Sequence, residues 1–194
     1  MMENKEIFYH GSSCLFDKFD LSHALEGDGK IKFGYGVYVT SCYRSAAHYS
    51  ACNENSDENY VYTVEVPAIG EDNFIAYGEP VKAEVLMRAR NVLHLDIPEE
   101  VAGNGKDFRK FLAKQLSGKT DFSGEKAASE FLSSIGVDFI MWPYNWKNPA
   151  AGTNRAIFDA GKVKILRTDR VLVDSRKRLV EGSEIPVFIA PANF

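Results

Sequence analysis

Three short motifs, in order, carry residues whose chemistry would converge: Tyr9-His10-Gly11-Ser12, Gly34-Tyr35-Gly36-Val37-Tyr38-Val39-Thr40 and Ala46-Ala47-His48-Tyr49. One histidine and two tyrosines suit a flat, amide-bearing ring joined to a ribose: hydrogen bonds for the sugar, aromatic faces for the ring. A fourth segment, Thr153-Asn154-Arg155-Ala156-Ile157-Phe158-Asp159, brings an amide and a cation but no glutamate. Singly, none of these is specific. Gly34-Tyr35-Gly36 fails as a dinucleotide turn, because Val39 fills the last glycine position and a strand follows where a helix should open.

The elements that must hold these residues are short and irregular. Strands are expected over 6–10, 37–40, 60–66, 138–142, 156–158, 163–166 and 185–189, from alternation bounded by turn residues. Residues 84–95 read as extended, with Val85, Met87 and Ala89 on one side. Helices are expected over 42–50, N-capped by Ser41, and over 106–116 and 125–135, from the spacing of Phe108, Phe111, Leu112 and of Ala128, Phe131, Leu132. Phe16 and Phe19 would anchor the polar connection 14–34. Without regular strand–helix alternation, the fold class is α+β with mixed or antiparallel sheets.

At 194 residues, with 45% hydrophobic and 26% charged residues, the chain is long enough for one buried core. A net charge of −4 and a pI of about 5.6 argue against non-specific binding to nucleic acid or an anionic membrane. Residues 162–178 form a mildly basic edge. Cys14, Cys42 and Cys52 match neither a disulfide framework nor a zinc pattern, so no metal is expected. The polar N-terminus and the lack of a membrane-length apolar run point to a cytoplasmic protein.

Tyr-His-Gly-Ser, then Gly-x-Gly-Val-Tyr-Val-Thr, then Ala-x-x-Tyr resembles the ADP-ribosyltransferase superfamily of the diphtheria-toxin and poly(ADP-ribose) polymerase type. The eleven residues from Tyr38 to Tyr49 match that family's two nicotinamide-stacking tyrosines. Gly136-Val137-Asp138-Phe139-Ile140-Met141-Trp142-Pro143 and Ala156-Ile157-Phe158-Asp159 through Val163-Lys164-Ile165 are similar to the closing strands of small bacterial and phage-encoded members. The likeness runs from about Phe8 to Leu166. It implies split mixed or antiparallel β-sheets with flanking helices, an ADP-ribosyltransferase-like domain over 1–170, and a C-terminal extension, 171–194, packed on it.

The resemblance also implies roles. NAD⁺ would be the co-substrate: His10 on the adenosine ribose, the Gly11 backbone on the nicotinamide carboxamide, Ser12 on ribose hydroxyls. Tyr38 and Tyr49 would sandwich the pyridinium ring, each worth about 0.5–2 kcal/mol. A serine that often binds the amide falls on Ala46, beside Ser45. The glutamate position falls on Asn154, giving His10, Tyr38 and Asn154 as a variant triad with Tyr49 as second ring. Losing one such charged contact costs on the order of 10²–10³ in rate, so chain elongation is the least favoured activity. Trp142, Tyr144, Trp146 and Arg155 would meet a macromolecular acceptor, protein or nucleic acid. The expected activity is NAD-dependent mono-ADP-ribosyl transfer, in a toxin or phage-related effector with an antitoxin as partner. The alternatives are an NAD or ADP-ribose binding module and an NAD glycohydrolase. Residues 22–32 would cover the donor.

Overall fold

The computed structural model describes residues 4–23, 31–52 and 58–190. Glu26, Asp28 and Lys30 of the expected donor-covering loop lie outside them. Eight strands form one hydrogen-bonded network: β1 (Lys5–Ser12), β2 (Val37–Thr40), β3 (Tyr60–Pro67), β4 (Phe74–Ala76), β5 (Phe139–Pro143), β6 (Thr153–Ile157), β7 (Lys164–Arg170) and β8 (Ile185–Ile189). Their order is β4-β5-β6-β2-β1-β3-β7-β8. Among the described residues, β4 and β5 alone run parallel, and the other strand pairs are antiparallel. Five α-helices flank the strands: α1 (Tyr43–Ser50), α2 (Ala83–Leu93), α3 (Glu99–Ala102), α4 (Gly105–Ser117) and α5 (Phe122–Ser134). The fold is therefore α+β with a mixed sheet.

The sheet is split in the middle. β1 pairs with β3 along its whole length, but with β2 only at Tyr9↔Thr40. Two four-stranded halves thus diverge from a single residue pair and pack face to face. Val37, Val39, Phe139 and Ile157 of one half meet Phe8, Tyr60, Tyr62, Val64 and Val66 of the other. Alternation drives this: Tyr60, Tyr62, Val64 and Val66 point inward, while Val61 points outward to Ala46 and Ala47 of α1. The outer face of the β2-side half is buried by Val85 and Ala89 of α2, Phe108 and Leu112 of α4, and Ala128 and Leu132 of α5.

Several elements differ from the sequence expectation. Residues 84–95 are the helix α2: Val85, Leu86 and Ala89 are buried at helical spacing, whereas Met87 is exposed. Cys42 stands at the N-cap of α1 without a side-chain bond. Ser41 instead accepts from Thr153 N at 2.9 Å and crowds Gly152, whose φ of +140° suits only glycine. The short β4 was not expected at all. Beyond β7, residues 173 and 179 form an isolated bridge, and β8 pairs with β7 as the outermost strand.

Candidate functional site

The split is where the site residues gather. If the β1–β2 ladder continued past Tyr9↔Thr40, Gly11 would face Tyr38. It does not continue, and the His10 ring takes its place: Nδ1 lies 2.7 Å from the Tyr38 carbonyl. Because a carbonyl only accepts, Nδ1 carries the proton and Nε2 keeps its lone pair. Phe19 and Tyr62 pack around the imidazole at 5.0 and 6.0 Å, with Phe16 at 6.1 Å. Burial pushes the His10 pKa below its usual value, although the bond to Tyr38 opposes this. The ring is thus held neutral, as an acceptor.

Strand alternation also fixes what the open edge of β1 presents. Since the Tyr38 carbonyl points toward β1, so do the polar groups of Thr40, and those of Tyr9 point back. Gly11 follows Tyr9 by two residues and turns its N–H and C=O to the same, unpaired side. The missing Cβ of Gly11 serves a different purpose. A Cβ there would stand 1.8 Å from the Ala46 carbonyl oxygen, so glycine is what lets β1 lie against α1. Ser12 closes the strand, with its hydroxyl accepting from Cys14 N at 3.0 Å.

Asn154 lies on β6 opposite Thr40 of β2 and Trp142 of β5. Tyr38 pairs with Ala156, two residues away on the same face. Asn154 is 7% exposed, and its Oδ1 is fully buried without a hydrogen-bond partner. The position that the sequence resemblance sets against a glutamate therefore holds an amide oxygen lacking a donor.

Tyr38 is fastened at both ends. Its hydroxyl accepts from Phe33 N at 3.0 Å and donates to the Gly34 carbonyl at 2.9 Å. Its ring meets Trp142 edge-on at 5.7 Å. Burial raises the phenol to about 12, against smaller lowering effects from the Phe33 N–H and the Arg109 charge. Trp142 is buried, with Phe33 stacked on it at 3.9 Å. The segment 32–35 is in turn held by α4 and α5. Arg109 donates to the Lys32 carbonyl at 3.1 Å, and Tyr35 N donates to Ser129 Oγ at 3.0 Å. Arg109 forms a buried ion pair with Glu125.

Tyr49 occupies a different setting. It is 56% exposed and lines a groove of ≈ 570 Å³ with Ser45, His48, Tyr144 and the 174–181 segment. Ala46 is wholly buried against β1 and β3, whereas Ser45 reaches the groove. Among the residues expected at an acceptor, Tyr144 lines the groove and Trp146 is exposed beside Tyr77. Trp142 belongs to the core. Arg155 is 1% exposed, its guanidinium over Phe8 and Phe139 and bonded to Pro67 O and Glu6 Oε2. Its charge is used inside the fold, between the two half-sheets.

The structure therefore brings His10, Gly11, Tyr38 and Asn154 to the split between β1 and β2, while Tyr49 and Tyr144 line the groove. No ring contact joins Tyr38 to Tyr49 among the described residues. Sequence reasoning missed Phe33, Arg109, Glu125 and Ser129. One signal was available: Arg109 interrupts the apolar stripe Phe108, Leu112, Ala113 of α4, and a cation inside such a stripe needs a buried partner.

No protein-family model and no curated protein matches the chain. Among solved structures, it is similar to one from the crystal structure of the M. tuberculosis MbcT–MbcA toxin–antitoxin complex. The identity is 12% and the TM-score 0.44, covering 87% of this chain and 85% of that one. At that TM-score the likeness carries no functional weight.

Proposed function

We propose that this protein is an NAD⁺-dependent mono-ADP-ribosyltransferase with a split-sheet site formed by His10, Gly11, Tyr38, Tyr49 and Asn154. The observation that carries the reading is the buried, donor-less Oδ1 of Asn154, on the strand beside Tyr38. A buried acceptor without a partner is costly, about 1–3 kcal/mol, unless a ligand or a bound water supplies the donor. A ribose hydroxyl is such a donor.

The other groups suit the same substrate. Neutral His10 accepts from an adenosine ribose hydroxyl at Nε2. The open-edge N–H and C=O of Gly11 match the C=O and NH₂ of a carboxamide, and Ser12 stands beside them for ribose hydroxyls. Tyr38 supplies a partly buried, hydrogen-bonded aromatic wall and Tyr49 an exposed one, with Ser45 in place of the serine replaced by Ala46. In the reaction the C1′–N bond of the nicotinamide riboside breaks and its electron pair goes to nicotinamide. The acceptor's lone pair then bonds to C1′. Tyr144 and Trp146 are the aromatic groups exposed where an acceptor would arrive.

Asn154 also favours a second reading, an NAD or ADP-ribose binding module without turnover. An amide orients the ribose but offsets no developing positive charge. An NAD glycohydrolase, with water as acceptor, would use the same donor site. Adenylate-labelled NAD⁺ added to a cell lysate separates these. Acid-insoluble label from the wild type, lost with a His10→Ala variant that still melts cooperatively, is the expected result. Free ADP-ribose as the sole product assigns the glycohydrolase. Saturable binding with neither label nor nicotinamide release assigns the binding module.

A further inference from the structure

Among the described residues, the proposed donor site has no carboxylate to take the acceptor's proton, and the groove beside Tyr49 contains another group suited to it. We propose that His48 is a second catalytic residue, the general base that deprotonates the incoming nucleophile. This rests on the transferase reading above. His48 precedes Tyr49 on α1 and is solvent-exposed. Its Nδ1 lies 3.2 Å from the Lys177 carbonyl. That carbonyl only accepts, so in the neutral ring Nδ1 carries the proton and Nε2 the lone pair.

The anchor is rigid. Lys177 sits at φ +58° in a turn closed by Lys177 N to Asp174 O and Asp174 N to Arg178 O, both 2.8 Å. The Asp174 carboxylate holds that turn through Arg176 N, Arg178 N and the Arg178 guanidinium. A base oriented through its other nitrogen by a third group is an arrangement that general-base catalysis uses repeatedly.

Elimination within the groove points the same way. Its two carboxylates are engaged, Asp174 by Arg178 and Glu181 by Arg44 at 2.9 Å. Its other charged groups, Arg44, Lys177 and Arg178, are cations without a lone pair to offer. The groove shares Tyr49 and Ser45 with the proposed donor site, and Tyr144, which follows the last residue of β5, also lines it. The step balances. His48 Nε2 takes the proton of the acceptor O–H or N–H, the acceptor lone pair bonds to C1′, and the C1′–N electrons leave with nicotinamide. Asn154 orients the ribose, and His48 moves the proton.

Two variants test this. His48→Asn keeps a donor toward Lys177 O and removes the base; His48→Ala removes both and leaves room for added imidazole. The expected results are a loss of label transfer of about 10²-fold or more in His48→Asn, an unchanged melting temperature, and partial recovery of His48→Ala by imidazole. Wild-type transfer rates in His48→Asn, or no recovery of His48→Ala, would overturn the role of His48 alone. A wild type that neither transfers label nor releases nicotinamide would overturn the transferase reading as well.

Discussion

Tyr38 and Tyr49 are paired by the resemblance but live in opposite surroundings. Tyr38 has its hydroxyl bonded twice to the 33–34 backbone and its ring against Trp142. Tyr49 stands 56% exposed at the rim of a groove. One tyrosine is part of the scaffold; the other stands open to solvent. In the proposed transferase this is a sensible division: the bonded ring would hold a preorganised geometry, and the exposed one would leave room for substrate to enter.

The contrast can be broken from the scaffold side first. Arg109→Met leaves Glu125 buried without its cation and frees the Lys32 carbonyl, which is expected to cost about 3–5 kcal/mol in urea unfolding. Adding Glu125→Leu should recover most of that loss, because a paired apolar replacement removes the stranded charge. Tyr38→Phe comes next. It keeps the ring but strands Phe33 N–H and Gly34 C=O, at about 1–3 kcal/mol. If Tyr38→Phe melts like the wild type, Tyr38 is not a scaffold residue.

His10 adds a pH-dependent effect on the same side. Its folded-state pKa lies below the ordinary 6.5, so the unfolded chain binds more protons between the two values. Stability from neutral His10 is present above pH 6.5 and is lost as pH falls toward the depressed folded value. Melting temperatures measured from pH 7.5 to 5 should fall less steeply in His10→Gln than in the wild type. Equal slopes would remove His10 from the cause. Smallest is Tyr49→Ala, expected within about 0.5 kcal/mol in stability. Its effect should show in ligand affinity, as a roughly 2- to 30-fold weakening of NAD⁺ binding from about 0.5–2 kcal/mol of lost stacking and cation–π attraction.

How far the sequence could be read follows from the range of the interactions involved. β2 and β8 were legible to the residue, because local alternation and turn residues bound them. α2 was misread because Val85, Met87 and Ala89 also fit an alternating pattern, and only packing shows that Leu86 is inside and Met87 outside. β4, three residues long, falls below what alternation can reveal. At the candidate site, the sequence singled out His10 and Tyr38, but not that the imidazole bonds the Tyr38 backbone and not its ring. Nor was the register of Thr40 against Asn154, more than a hundred residues apart, or the commitment of Arg155 to Glu6. Those are long-range facts, fixed by how the two half-sheets close.

The central claim is that the unsatisfied Asn154 amide exists for a ligand, and Asn154→Leu addresses it directly. Calorimetric titration with NAD⁺ should be run beside thermal melts of wild type and variant. The expected result is saturable binding by the wild type, binding lost in Asn154→Leu, and a melting temperature equal to or above the wild type's. Undiminished NAD⁺ binding by Asn154→Leu, or a wild type that binds no NAD⁺, would contradict it.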